Sequence, residues 1–392
     1  MKFADLKSGY QQSIAGTYSR FDLDVEQGQG ASCQNAEGKE YIDFSSGIGV
    51  NSLGFCDEGW VKAIEAQLHT LNHTSNLYYT QPQLELAKAL CEKSGMQRVF
   101  YANSGAEANE GVIKTCRKYS SDKYGPGRYE IICLHNSFHG RTITTLSATG
   151  QEVFHQHFHP FTPGFVFAEA NNLADLTAKV TEKTCAIFVE CVQGEGGVIP
   201  LTEEFIAGIA KLCAEKDLVL AVDEVQTGLG RTGAFFCYQH FGLQPDVVST
   251  AKGLGGGLPI GAVLFGEKTK NTLGPGDHAT TFGGNPIVCA GANYVVEQLT
   301  PAFLAEVTVK GAAITEKLLA MKHVKSVTGK GLMLGVELDG PASVDVVKAC
   351  GEKGLILLTA KHKLRLLPPL NISSDQLDKG LAILSQVLEG IA

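Results

Sequence analysis

Two ionisable residues of opposite sign stand at the ends of short apolar runs. Leu218-Val219-Leu220-Ala221-Val222 leads into Asp223, and Asp246-Val247-Val248-Ser249-Thr250 leads into Ala251-Lys252 and a glycine-rich stretch. Short, β-rich runs bounded by glycine and polar residues read as buried strands of a parallel sheet. An acid and an amine just past such strands lie at the edge where open α/β sheets bind ligands. That pairing suits pyridoxal phosphate, which needs a lysine to bond its aldehyde and a carboxylate beside its pyridinium nitrogen.

Other stretches carry related groups. Asn103-Ser104-Gly105-Ala106-Glu107-Ala108-Asn109-Glu110 lies between an apolar run at Val99–Tyr101 and a helical pattern reaching Tyr119. A small-residue turn opening a helix offers free amides and a positive dipole end to an anion. An ordinary N-cap by Ser104, with Glu107 in a capping box, accounts for the same letters. Phe138-His139-Gly140-Arg141 follows the run Ile131–Leu134. An aromatic there can stack on a pyridine ring, and an arginine can hold a carboxylate in bidentate fashion. Glu190-Cys191-Val192-Gln193-Gly194-Glu195-Gly196-Gly197 sets two acids after another apolar run. Arg365, inside Leu364-Arg365-Leu366-Leu367, needs an anion nearby or a way out to water.

Two tempting patterns are set aside. His155, His157 and His159 alternate, but no cysteine or carboxylate stands at a useful spacing, and no metal site is expected. Gly228, Gly230 and Gly233 match the dinucleotide-binding fingerprint, yet Ala234-Phe235-Phe236-Cys237-Tyr238 gives no helix start after them. That fingerprint requires one, so a nicotinamide-dependent dehydrogenase is rejected.

Asp223-Glu224-Val225-Gln226-Thr227-Gly228-Leu229-Gly230-Arg231-Thr232-Gly233, followed by Ala251-Lys252-Gly253-Leu254-Gly255-Gly256-Gly257-Leu258-Pro259-Ile260-Gly261-Ala262, resembles the class III pyridoxal-phosphate aminotransferases. Five motifs stand in family order over nearly the whole chain. The likeness implies a dimeric fold-type-I enzyme with pyridoxal 5'-phosphate as cofactor. It implies that Lys252 bonds the cofactor and then acts as general acid–base. Asp223 would keep the ring nitrogen protonated, Gln226 would bond the phenolic oxygen, and Phe138 and Val225 would cover the two ring faces. Ser104, Gly105 and Ala106 would hold the phosphate. His278-Ala279-Thr280-Thr281-Phe282-Gly283-Gly284-Asn285-Pro286 resembles the segment that reaches into the neighbouring subunit's site. Thr281 would bind the phosphate of the partner's cofactor there, with Thr280 beside the substrate. Arg141 would take a substrate carboxylate, and Glu195 would pair with Arg365. Cys191 stands where the family usually has proline, and Thr280 where it usually has serine.

The branch it most resembles moves the side-chain amino group of N-acetylornithine to 2-oxoglutarate. The products are N-acetylglutamate semialdehyde and glutamate, a step of arginine biosynthesis. Ornithine, succinylornithine and 4-aminobutyrate are the alternative donors.

For these residues to meet, strands must deliver them to one edge. Strands are expected at Val99–Tyr101, Ile131–Leu134, Phe165–Phe167, Ala186–Val189, Leu218–Val222, Val247–Thr250 and Ala262–Phe265, with helices in most gaps. That is the pattern of a large, mainly parallel α/β sheet. A helix over Gly59–Leu71 is expected to carry Val61, Ile64 and Leu68 on one stripe. Another over Gln83–Ser94 should turn Leu84, Ala87, Leu90 and Cys91 inward. Residues 1–45 read as extended pieces and turns, and strands near Leu332–Leu338 and Leu364–Leu367 belong to an α+β tail. The expected division is 1–45, 46–286 as the large cofactor-binding domain, and 287–392. The first and last parts join as one small α+β domain.

Composition narrows the class. The 392 residues are 44% apolar and 19% charged, as in soluble globular proteins. A net charge of −8 argues against nucleic acid or anionic membrane as the main partner. Eleven cysteines without a Cys-x-x-Cys suggest reduced thiols in a cytoplasm. Met1 to Tyr10 has no signal-peptide core, and no run is long enough to span a membrane.

Overall fold

The apolar runs become one seven-stranded sheet in the computed structural model, which describes residues 1–391. The order across it is Arg98–Ala102, Gly261–Phe265, Val247–Thr250, Val219–Asp223, Thr184–Val189, Glu130–Leu134 and Phe165–Ala168. Gly261–Phe265 runs antiparallel to both its neighbours, and the remaining pairs are parallel. Four strands, Thr184–Val189, Val219–Asp223, Val247–Thr250 and Gly261–Phe265, are buried at every position. Helices cover both faces of such a sheet, so its strands show continuous apolar runs rather than alternation.

One consequence is positional. The carboxyl ends of four parallel strands and the loops after them set Asp223, Lys252, Glu190 and Phe138 along a single sheet edge. The strand Arg98–Ala102 adds the turn that opens the helix Gly105–Tyr124.

The two chain ends build smaller sheets. Gln27–Gln29, Ser32–Gln34 and Glu40–Asp43 form an antiparallel ribbon, to which Leu355–Ile356 adds in parallel. Val324–Lys330, Met333–Leu338, Lys363–Leu366 and Leu358–Ala360 make an antiparallel sheet in which Arg365 lies opposite Gly335. Arg231 ties this sheet to the large one. Its guanidinium is fully buried, and Nη1 donates to the carbonyl of Leu332 at 3.2 Å and to that of Pro368. Leu332 N returns a bond to the Arg231 carbonyl at 2.9 Å. Burial pulls the Arg231 pKa down to about 9.

Three expectations fail. Phe3–Ser13 is a helix, not an extended piece, because Phe3, Leu6 and Tyr10 fall at spacings of three and four. The helix Glu58–Leu68 does not bury Val61 or Leu68, which are exposed. It faces the helix Pro286–Gln298 through Gly59 and Trp60, and Trp60 Nε1 donates to Gly255 O at 3.1 Å. In Gln81–Ser94 the buried leucines are Leu86 and Leu90, and Leu84 is exposed. In both helices the apolar residues turned outward remain uncovered in the single chain.

Candidate active site

Asp223 ends the Val219–Asp223 strand almost wholly buried, and three donors converge on its carboxylate. Val225 N reaches Oδ1 at 2.9 Å, while Asn109 Nδ2 and His139 Nδ1 both reach Oδ2 at 2.8 Å. An ionised carboxylate, with acceptor sites only, matches that surround. His139 is buried and stacks on Phe188 at 4.1 Å. Asn109 Nδ2 also donates to His139 O at 2.7 Å, which locks the pair together. Sequence reading missed the roles of Asn109 and His139. Their signal was present, a polar residue one helical turn past Gly105 and a histidine inside Phe138–Arg141, but nothing local links either to Asp223.

The acid opens onto a cavity of about 440 Å³. Lys252, Ser104, Gly105, Ala106, Phe138, Arg141, Glu195, Val225 and Gln226 all line it. Lys252 adopts a left-handed backbone with φ +42°, uncommon for a residue with a side chain. Burial holds its amine below the ordinary lysine range, against the opposing pull of Glu195. Ser104 caps the helix Gly105–Tyr124 by accepting from Glu107 N at 3.2 Å. Glu107 does not complete a capping box; its Oε2 accepts from Asn103 N at 2.7 Å instead. Gly105 packs so tightly that a Cβ there would stand 2.7 Å from Val225 Cγ1.

Arg365, 3% exposed, is not among the residues lining the cavity but lies behind Glu195, with its Nη1 2.5 Å from Glu195 Oε1. Gln226 closes the triangle, donating to Glu195 at 3.3 Å and accepting from Arg365 at 3.3 Å. Gly194 leaves the room, since a Cβ there would sit 2.2 Å from Gln226 Oε1. Burial tends to raise the Glu195 pKa, but the Arg365 charge and hydrogen bond hold it below the usual range. Glu195 rides on a hairpin formed by Val192–Gln193 and Ile199–Pro200, and Cys191, in place of proline, stands just before it with its carbonyl accepting from Leu201 N at 2.9 Å.

Glu190 anchors two loops at once. It accepts Phe138 N at 3.0 Å and Gly194 N at 3.3 Å. Burial, reinforced by Asp223, pushes its pKa to about 8.

Thr280 and Thr281 do not line this cavity. Thr280 Oγ1 accepts from Asn103 Nδ2 at 2.9 Å, and Thr281 is exposed. Of the alternating histidines, His155 bonds the Leu146 carbonyl at 3.0 Å and His159 packs on Phe161.

The family model for class-III aminotransferases matches residues 13–388. An acetylornithine aminotransferase of Haemophilus ducreyi is 55% identical over 377 residues, covering 96% of this chain and 96% of that protein. One from Caldanaerobacter subterraneus is 47% identical over 384 residues, covering 96% and 98%. Among solved structures, an ornithine aminotransferase from Toxoplasma gondii superposes with TM-score 0.94 at 29% identity, covering 99% and 95%. An N-acetylornithine aminotransferase from Stenotrophomonas maltophilia gives 0.84 at 33% identity, covering 97% and 98%. These likenesses make the fold that of fold-type-I enzymes.

Proposed function

Because the chain belongs to the class-III aminotransferases, we propose that it moves the side-chain amino group of N-acetylornithine to 2-oxoglutarate. The donor follows the sequence likeness: the acetylornithine enzyme is 55% identical, the ornithine enzyme 29%. Class-III aminotransferases depend on pyridoxal phosphate, and the residues here fit that group. An amine, a buried acid, a capped helix start and two apolar side chains meet around one cavity. Bound there, the cofactor supplies an electrophilic carbon for the donor's amine and a ring that withdraws negative charge.

The side chains divide the remaining tasks. Ser104, Gly105 and Ala106 hold the phosphate at the helix start. Phe138 and Val225 would cover the ring, and Asp223 would keep a proton on its nitrogen. Lys252 Nζ would act as the base that takes a proton from the donor's amine-bearing carbon. Its lowered pKa leaves more of the neutral base that this transfer needs.

Two donors present carboxylates at different distances from the reacting amine. N-acetylornithine sets its free carboxylate on Arg141. Glutamate sets its distal carboxylate on Arg141 and its near one on Arg365, once Glu195 has moved aside. The closed triangle of Glu195, Arg365 and Gln226 is the observation that carries this reading. Glu195→Gln should therefore affect the two half-reactions unequally. The glutamate half should hold or improve, and the acetylornithine half should fall by about tenfold, the weight of one charged hydrogen bond. Stopped-flow half-reactions with each donor decide it; equal losses would leave Glu195 a loop support. A screen of N-acetylornithine, ornithine, succinylornithine and 4-aminobutyrate tests the substrate itself, and a higher kcat/KM for any other donor overturns it.

The working unit in this reading is a homodimer with shared sites. Leu77, Tyr78, Tyr79 and Phe282 are exposed, and Asn76 Nδ2, donating to Gly283 O at 2.9 Å, ties their two segments together; Thr281 serves the partner's phosphate while Thr280 lies beside its substrate. Lys252→Ala and Thr281→Arg should each inactivate a homodimer. Mixed heterodimers would hold one site with both lesions and one with neither, so random exchange should restore about a quarter of wild-type activity. Heterodimers that form but restore nothing would place both residues in one chain's site. The three-part division at 45 and 286 is supported by the pairing of Leu355–Ile356 with Glu40–Asp43. A cytoplasmic setting accords with eleven cysteines without a disulfide, and no helix among the described residues is long and apolar enough to cross a membrane.

A further inference from the structure

We propose that Phe154 is a positioning residue that holds the Arg141 guanidinium ready for a substrate carboxylate. The inference rests on Arg141 being the carboxylate ligand. Arg141 is exposed, and among the described residues no carboxylate lies within 4.0 Å of it. Its guanidinium carbon instead stands 3.9 Å from the Phe154 ring centroid and 5.4 Å from that of Phe138. No other cation–ring approach among the described residues is closer.

Phe154 is itself held. It ends the short turn Glu152–Phe154, with its N–H on Gln151 O at 3.0 Å. Gln151 is buried and donates through Nε2 to Ser137 O at 3.0 Å. The next residue, His155, bonds Leu146 O at 3.0 Å, and the Phe154 ring meets Phe138 edge-on at 6.1 Å and 82°. The turn just before His155, His157 and His159 thus brings a phenyl ring against Arg141.

A guanidinium carbon 3.9 Å from the ring centroid fits a ring lying against the guanidinium face. A ring takes the guanidinium face and leaves the N–H edge unspent, and that edge is what a carboxylate grips. A free surface arginine samples many rotamers, and ordering it costs affinity on binding. Phe154 removes part of that cost before the substrate arrives. Because N-acetylornithine and 2-oxoglutarate both use Arg141, the benefit falls on both.

The test uses the cofactor-loaded enzyme with Phe154→Ala, Phe154→Leu, Phe154→Tyr and Arg141→Ala. Calorimetry gives the Kd of glutarate, and steady-state kinetics give KM and kcat. An ω-amine without a carboxylate serves as the control donor. Phe154→Ala and Phe154→Leu should weaken glutarate and raise KM for both substrates by about three- to tenfold. Saturated kcat should stay within about twofold, the control donor should be unchanged, and Phe154→Tyr should behave as wild type. Wild-type behaviour of Phe154→Leu would mean that bulk alone matters, which overturns the proposal. An equal loss with the control donor would mean that Phe154 acts through Phe138, and overturns it too. Loss of glutarate binding in Arg141→Ala but in no Phe154 variant defeats this inference alone. Unchanged binding in Arg141→Ala defeats the carboxylate reading with it.

Discussion

Lys252→Ala is expected to lower steady-state transamination by at least about 10³-fold while the cofactor stays bound. The two effects separate because the contacts are separate. Ser104, Gly105, Ala106, Phe138, Val225 and Asp223 stand around the cavity on elements that do not depend on Lys252. On the proposed function the amine contributes the proton transfer, and no other lysine lines the cavity among the described residues. Borohydride followed by peptide mass spectrometry gives a second readout. It should fix the cofactor to the Lys252 peptide of wild type and to no peptide of the variant. Appreciable turnover in the variant would remove Lys252 from the chemistry.

Asp223→Asn should reduce kcat by about 10²- to 10³-fold, the range for losing one preorganised electrostatic partner of the reacting system. An amide cannot hold a proton on the ring nitrogen, so the ring withdraws charge poorly. The protein should still fold. The new amide would set its N–H groups against one of the present donors, Val225 N, Asn109 Nδ2 or His139 Nδ1. Turning Asn109 would offer its unpartnered Oδ1 to the new amide but would give up the bond to His139 O, so some loss of stability is expected. A melting curve alongside the kinetics separates the two effects. Near-normal turnover would make Asp223 a structural acid.

Most of the sheet was legible because its strands are buried on both faces and so spell continuous apolar runs. Asp223 and Lys252 stood out for the same reason, as charges at the ends of such runs. What surrounds Asp223 was not legible. Residues 109, 139 and 223 come from three separate strand–loop units and meet only when parallel strands align their carboxyl ends. Helical periodicity also misled at Val61, Leu68 and Leu84. A stripe of apolar residues says that a face wants covering, not that the same chain covers it. Arg365 needed an anion on physical grounds, and Glu195 lies 170 residues away at 2.5 Å, a pairing that only the fold delivers.

Arg231 decides what can move. It lies five residues after Gln226, and the carbonyl it holds at Pro368 lies three after Arg365. Both are thus fastened to one buried cation that cannot be pulled from its carbonyls without a penalty of several kcal/mol. The backbone stretches that carry Gln226 and Arg365 are therefore tied together before any substrate enters. Glu195, on its separate hairpin, is the remaining corner of the triangle and is not fastened to that cation. On the proposed function, the choice between a donor with one carboxylate near the amine and a donor with none would reduce to a single coordinate, the position of one carboxylate. The frame is rigid so that the selection can be made by a side chain.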